Sequence, residues 1–193
     1  KSPLVSASFK SEKEILEIWL RLGLGGVTYK TIMKEKREGN ARPRLQQLRL
    51  ERSPCLINSL GLPGEGVDSF VKYVNKSSLD RYGCPIGISI GGEGIDEYKQ
   101  NFLEIHSGIK DDKMKNYYYE LNISCPNTDS GTCIGDHLSS LENLTDFIRS
   151  KTNIVISIKI SPDWDNIKLM NIGEIIRSRN NIFVNAGNTQ YKT

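Results

Sequence analysis

The sequence predicts an α/β fold in which parallel strands alternate with helices within one domain, residues 1–193. Short apolar runs with the composition of buried strands recur along the chain, and between them lie longer stretches whose apolar residues fall at helical intervals. That rhythm calls for right-handed crossovers and a parallel sheet. No repeat, low-complexity tract or linker divides the chain.

The elements follow in order. "PLVSASF" reads as a strand. "SEKEILEIWLRLGLGG" reads as a helix: Ser11 and Glu14 stand in capping-box spacing, Ile15, Ile18, Trp19 and Leu22 recur at helical intervals, and glycines end it. "GGVTYKTI" is the next strand and completes a βαβ unit. The basic run "KEKREGNARPR" reads first as a solvated loop and only second as a segment packed at a subunit interface or near a cofactor. "CLIN" is a short strand. Helices are expected near 66–76, 94–109, 139–151 and 165–179, and strands near 86–91, 117–123, 154–160 and 182–186. "GISIGGEG" lacks the spacing of a dinucleotide fingerprint and reads as a strand-to-helix turn. Six or seven strands result. By pattern alone they fit an open doubly wound sheet or a (β/α)8 barrel whose end is absent from this sequence.

The 193 residues are 37% hydrophobic and 25% charged, which suits one globular domain. Lys+Arg 26 against Asp+Glu 23 gives a formal charge of +3, too mild and scattered for a nucleic-acid groove, so a small-molecule ligand is the expectation. Cys55, Cys84, Cys125 and Cys133 contain no C-x-x-C pair, and His106 and His137 supply no metal-ligand spacing. The expectation is a reduced, cytoplasmic chain without metal, in which Cys55, Cys84 and Cys133 are inert and both histidines are surface or capping residues. No apolar stretch approaches the roughly 18 residues of a membrane span, no secretory signal is visible, and Lys1 leaves the native N-terminus open.

Polar groups gather at the C-terminal ends of the strand-like runs: Ser8, Lys30, Asn58, Asn122, Cys125, Asn127, Lys159, Asn185 and Asn188. In α/β folds that end collects ligands. In "ELNISCPNT" Pro126 stops a buried strand, because it lacks a backbone donor, and so leaves Cys125 at the strand's end. Each asparagine alone could be a turn former and each lysine a surface residue. Together their paired donors and acceptors, with two ammonium groups, suit a planar, anionic, amide-rich ligand.

"KREGN", "RPRL", "INSLGLPGEGVDSF", "ELNISCPNT" and "IKISPDW" occur in this order through nearly the whole chain, and in sequence and spacing they resemble the dihydroorotate dehydrogenases. The resemblance implies a (β/α)8 TIM barrel, of which about the first six strands are present, bearing FMN and oxidising dihydroorotate to orotate in pyrimidine biosynthesis. In that family the residue at the position of Cys125 is the base that removes the C5 proton while hydride leaves C6 for N5 of the flavin. The likeness assigns Asn58, Ser59, Leu60, Gly61 and Leu62 to the loop holding the substrate carboxylate and ring edge, and Asn122, Asn127, Asn188 and Thr189 to the rest of the orotate clamp. Lys30 resembles the lysine between flavin and substrate; Ser8, Thr31, Asn122 and Gly187 resemble flavin contacts. Lys159 resembles the lysine at the flavin N1/O2 edge.

The resemblance also implies a homodimer and an electron acceptor that is fumarate, a quinone, or NAD through a partner subunit. Cys125 is typical of the soluble class 1 enzymes, whereas "GEGVD", "CPNT" and "KISPDW" lean towards the membrane-associated class 2. Phe9 stands where many members have glycine, and the family's phosphate-holding glycine loops would lie beyond Thr193. Two other readings stand beside this one: a flavin-free shortened barrel serving as a binding or assembly subunit, and a flavin barrel acting on another dihydropyrimidine.

Overall fold

The structure, a computed structural model, describes residues 2–10, 12–50, 53–110, 113–124 and 134–187. Its elements run α1 (Lys13–Arg21), β1 (Val27–Ile32), β2 (Leu45–Leu50), β3 (Ser53–Asn58), α2 (Gly66–Val74), β4 (Ile86–Ile90), α3 (Ile95–Gly108), β5 (Tyr117–Leu121), α4 (Leu138–Arg149), β6 (Ile156–Ile160), α5 (Asn166–Arg177) and β7 (Ile182–Ala186). Strands β1, β4, β5, β6 and β7 hydrogen-bond in chain order, and every pair is parallel. A doubly wound sheet reverses its strand order at a switch point; here the order never reverses. The sheet is therefore a sector of a (β/α)8 barrel. Val5 adds a parallel bridge to Gly26, ahead of β1, and this supplies a sixth strand position.

Three expectations need correction. "PLVSASF" contributes that one bridge and not a regular strand. "CLIN" lies in β3, which pairs antiparallel with β2 in a separate two-stranded hairpin, so it is no member of the parallel series. The α1 N-cap is Glu12, without a side-chain cap bond, so the expected capping box does not form at that position; Ser11 lies outside the described residues. Asp165 does cap α5, accepting from the Lys168 backbone N–H at 2.8 Å.

The two faces of the sheet differ in chemistry. Ile86, Ile88 and Ile90 of β4, Tyr119 and Leu121 of β5, and Ile156 and Ile158 of β6 are buried in the hydrophobic core that the helices also enter. Each such aliphatic side chain stabilises the fold by about 1.5–3 kcal/mol relative to exposure. Phe102 of α3 meets Tyr119 edge-on at 5.2 Å and stacks on His106 at 5.3 Å. His106 Nδ1 lies 3.0 Å from the Tyr119 hydroxyl, so this histidine belongs to the helix–sheet packing and is not a surface residue. His137 takes the exposed N-cap position of α4.

Helix α1 buries Leu16 and Leu20, leaving Ile18 53% and Leu22 76% exposed. The segment "ILEIWL" offers apolar residues on so many sides that periodicity does not fix its phase; packing against β1 does. In β1 the register steps from Tyr29 opposite Ile88 to Ile32 opposite Ile90, a bulge of one residue. Tyr29 and Ile32 thus both stay in the core while Thr31 is freed for the other face.

Candidate functional site

The inner face carries Thr28, Ser89, Tyr118, Glu120, Asn122, Ser157 and Lys159, the residues of opposite parity to the core isoleucines. All but Tyr118 are nearly solvent-free. At its upper end Asn122 Nδ2 donates to Thr31 Oγ1 at 2.8 Å, and Thr31 Oγ1 lies 3.0 Å from Ser89 Oγ. Asn122 is fixed through its backbone as well: its N–H donates to Ile90 O at 3.1 Å and its carbonyl accepts from the Tyr98 hydroxyl at 2.7 Å. Its Oδ1 is buried and has no donor among the described residues. Lys159, 8% exposed, donates from Nζ to Ser8 Oγ at 3.2 Å, which ties β6 to the opening segment.

Deeper in the barrel Asn185 Nδ2 donates to Glu120 Oε2 at 2.8 Å, and Thr28 Oγ1 lies 2.8 Å from the Tyr118 hydroxyl. Burial pushes the Tyr118 phenol up; the Thr28 hydrogen bond opposes this, and the Glu120 charge adds to it. Gly87 makes room for that pair, since a Cβ there would lie 2.6 Å from the Tyr118 ring and 2.7 Å from Thr28.

A cavity of about 1170 Å³ opens beside the barrel mouth, lined by Phe9, Lys30, Thr31, Arg44, Leu60 and Phe70 among others. Lys30 Nζ sits 5.9 Å from the centre of the Phe9 ring, and the Lys30 N–H donates to Lys10 O at 3.0 Å. Phe9, the departure noted in the sequence, is thus a contact of the expected substrate lysine. At the cavity wall burial also holds the Tyr29 phenol above its ordinary range.

The loop 58–62 reaches the cavity because residues 37–44 bracket it. Asn40 N donates to Leu60 O at 3.1 Å and Asn40 Nδ2 to Ser59 O at 2.9 Å; Ser59 N donates to Arg44 O at 3.0 Å. Arg44 Nη1 in turn donates to the carbonyls of Glu38 at 2.5 Å and Asn40 at 3.0 Å. Gly61 and Leu62 both have positive φ, 70° and 49°, and Gly61 packs directly on Asn40. Arg37 pairs with Glu93 at 2.6 Å, and Lys34 with Glu104 at 2.5 Å, which anchors the base of this bracket to the start of α3 and its middle. Contact with Lys34 holds the Glu104 carboxyl below its usual range. The basic run is exposed over most of its length, as a solvated loop is, and is pinned at Lys34, Arg37 and Arg44.

Of the expected site residues, Thr31 pairs with Asn122 and Ser8 with Lys159 on the inner face, while Lys30, Thr31 and Leu60 share the cavity. Asn58 ends β3, Ser59, Gly61 and Leu62 continue the bracketed loop, and Gly187, φ 141°, follows β7. Cys125, Asn127, Asn188, Thr189 and the inert-cysteine candidate Cys133 lie outside the described residues. Among the described residues no group of three metal-ligating side chains occurs, and no helix is long and apolar enough to cross a membrane. Sequence reading missed Asn40, Arg44, Ser89 and Glu120. Strand parity held the signal for the last two, because Glu120 precedes Asn122 by two and shares its face.

The family model described as dihydroorotate dehydrogenase matches residues 1–193. The catalytic subunit of dihydroorotate dehydrogenase B (NAD(+)) from Malacoplasma penetrans is 30% identical over 171 residues, 86% of this chain and 52% of that protein. The dihydroorotate dehydrogenase (quinone) of Serratia proteamaculans is 29% identical over 203 residues, 98% of this chain and 57% of that protein. The chain thus spans about half the length of the curated relatives it matches. A ligand-free dihydroorotate dehydrogenase from Eimeria tenella superposes with a TM-score of 0.76 at 19% identity, covering 98% of this chain and 58% of that one, and so shares the fold.

Proposed function

The chain belongs to the dihydroorotate dehydrogenase family, and from that premise we propose that it acts in the FMN-dependent oxidation of dihydroorotate to orotate, a step of pyrimidine biosynthesis. The observation that carries this reading is the Lys159 ammonium, buried on the inner face with the Ser8 hydroxyl as its hydrogen-bond partner among the described residues. A buried ammonium is costly unless an electron-rich group completes its shell. Asn122 Oδ1, buried and lacking a donor among the described residues, asks for an N–H in the same region. The polar edge of FMN offers both kinds of group, so the residues present fit the cofactor.

Lys159, Asn122, Thr31, Ser8, Lys30 and Gly187 would hold it. When bound, FMN supplies the acceptor for the hydride that leaves C6 of dihydroorotate. Lys159 supplies a fixed positive charge where negative charge develops, and because the ammonium is already placed it needs no reorganisation during the reaction. Cys125, three residues beyond Asn122, is the proposed base for the C5 proton. Lys30 and the loop 58–62 would orient the substrate carboxylate and ring edge, with Asn122, Asn127, Asn188 and Thr189 on its amide groups. Residues 1–193 act as one domain in this reading. We place the protein in the cytoplasm as a homodimer that passes electrons to fumarate, a quinone, or NAD through a partner subunit.

The test is anaerobic mixing of the FMN-loaded, full-length polypeptide with dihydroorotate. Loss of the oxidised flavin absorbance is expected. A yellow protein that dihydroorotate leaves oxidised would refute the reading.

A further inference from the structure

Glu120 takes no part in the function proposed above, yet it is 1% exposed and stands on the inner face of β5, one layer below Asn122. Its Oε2 accepts from Asn185, and its Oε1 is buried without a donor among the described residues. Lys159 is its counterpart of opposite sign: buried, with one hydroxyl as hydrogen-bond partner among the described residues. Among the described residues neither forms an ion pair. Each of these charges alone would be expensive to bury.

Asn185 neighbours both. It stands opposite Lys159 in the β6–β7 register, on the same face, at the strand spacing of about 4.8 Å. An ionised carboxylate only accepts hydrogen bonds, so Glu120 fixes the Asn185 amide with its NH2 group inward. The amide carbonyl is left as the atom that can accept from the ammonium. Asn185 on β7 thus reaches across β6, the strand that carries Lys159, to the Glu120 carboxylate on β5.

We infer that Glu120 is a positioning residue, which fixes the Asn185 amide beside Lys159 and whose negative charge offsets the Lys159 ammonium at the cofactor seat. It sets how strongly the seat prefers the reduced, negatively charged cofactor to the oxidised one. The inference rests on the FMN reading above. A polar pair that merely fills the barrel floor would leave that preference alone.

The experiment is spectroelectrochemical titration of the FMN-loaded, full-length polypeptide and its variants. Glu120→Gln, close to isosteric, removes the charge and is expected to favour the reduced cofactor by about tenfold, a rise of about 30 mV for a two-electron couple. Glu120→Asp, which restores the charge, should return the ratio to within about twofold of wild type. Asn185→Ala removes the donor to Glu120 Oε2 and keeps both charges, so the carboxylate, left without that donor, acts more strongly at the seat and the ratio should fall. Opposite signs for Glu120→Gln and Asn185→Ala are the signature, since general loosening would move both the same way. An unchanged or lowered ratio in Glu120→Gln overturns the inference, and if that variant does not fold, an unchanged or raised ratio in Asn185→Ala does so. Wild-type protein that takes up no FMN refutes the functional reading instead, and this inference with it.

Discussion

Replacing Gly61 by alanine tests whether the loop 58–62 is held as described. Gly61 has φ 70°, and a Cβ there would lie 2.6 Å from both the backbone nitrogen and Oδ1 of Asn40. The left-handed conformation costs a non-glycine residue about 1–2 kcal/mol. The steric conflict falls on backbone, so the loop must lift away from Asn40. That breaks the bonds from Asn40 N to Leu60 O and from Asn40 Nδ2 to Ser59 O, each worth about 1 kcal/mol net. The total is roughly 3–4 kcal/mol, a large share of a typical domain stability of about 5–15 kcal/mol. Gly173 is the control: it lies in α5, and nothing stands within 4 Å of a Cβ built there. Gly173→Ala should therefore stabilise by up to about 1 kcal/mol through helix propensity. Urea denaturation of both variants measures the contrast. Gly61→Ala within about 0.5 kcal/mol of wild type, below any of the costs above, would refute the packing of this loop on Asn40.

Lys159→Ala should lower the flavin reduction potential, read by anaerobic dye titration; an unchanged potential would remove Lys159 from the cofactor seat. Cys125→Ala should keep FMN but slow its reduction by dihydroorotate by about 10²–10⁴ in stopped-flow traces, and wild-type rates there would exclude the thiol as base. Asn127→Ala and Asn188→Ala should each weaken orotate binding by about 1–3 kcal/mol in isothermal titration. Arg179 holds Asp146 through Nε–Oδ1 at 2.7 Å and Nη2–Oδ2 at 2.9 Å, keeping that carboxyl below its usual range. A lowered carboxyl contributes above its unfolded pKa and loses that contribution as pH falls through the folded one. Asp146→Asn should thus cost under about 1 kcal/mol near neutral pH, because the pair is exposed, and the gap to wild type should close in acid melts.

The alternation of strands and helices was legible because burial on the helix-facing side demands isoleucine at alternate positions of β4 and β6, and β7 spans the residues expected of it. The barrel itself was not legible from periodicity, since strand order is a property of pairing and leaves no local trace. The hairpin was half seen. "CLIN" has strand composition, but "LQQLRL" mixes leucine with polar residues because both strands are largely exposed, and no alternation survives. At the site, Lys159, Asn122 and Thr31 were found through strand-end position and family likeness, and hydrogen bonds pair Asn122 with Thr31 and Lys159 with Ser8. Glu120 escaped because a carboxylate inside a barrel contradicts the expectation that acids face water. Asn40 and Arg44 escaped because their role is to hold another loop's carbonyls, which no spacing rule records.

The strand order also bears on how the protein is made. A sheet whose neighbours are hydrogen-bonded in chain order can be laid down in the sequence in which the ribosome releases it, each new strand docking on the one just finished. From β4 onward a single helical crossover separates successive partners, so each closure is local and rapid. The interval between β1 and β4 is different, because the hairpin and α2 must emerge before β4 can pair. During that wait β1 exposes an unsatisfied hydrogen-bonding edge and the apolar surface of Tyr29 and Ile32. The growing chain is most vulnerable to mispairing there, and a pause in translation or a chaperone contact would matter most at that point.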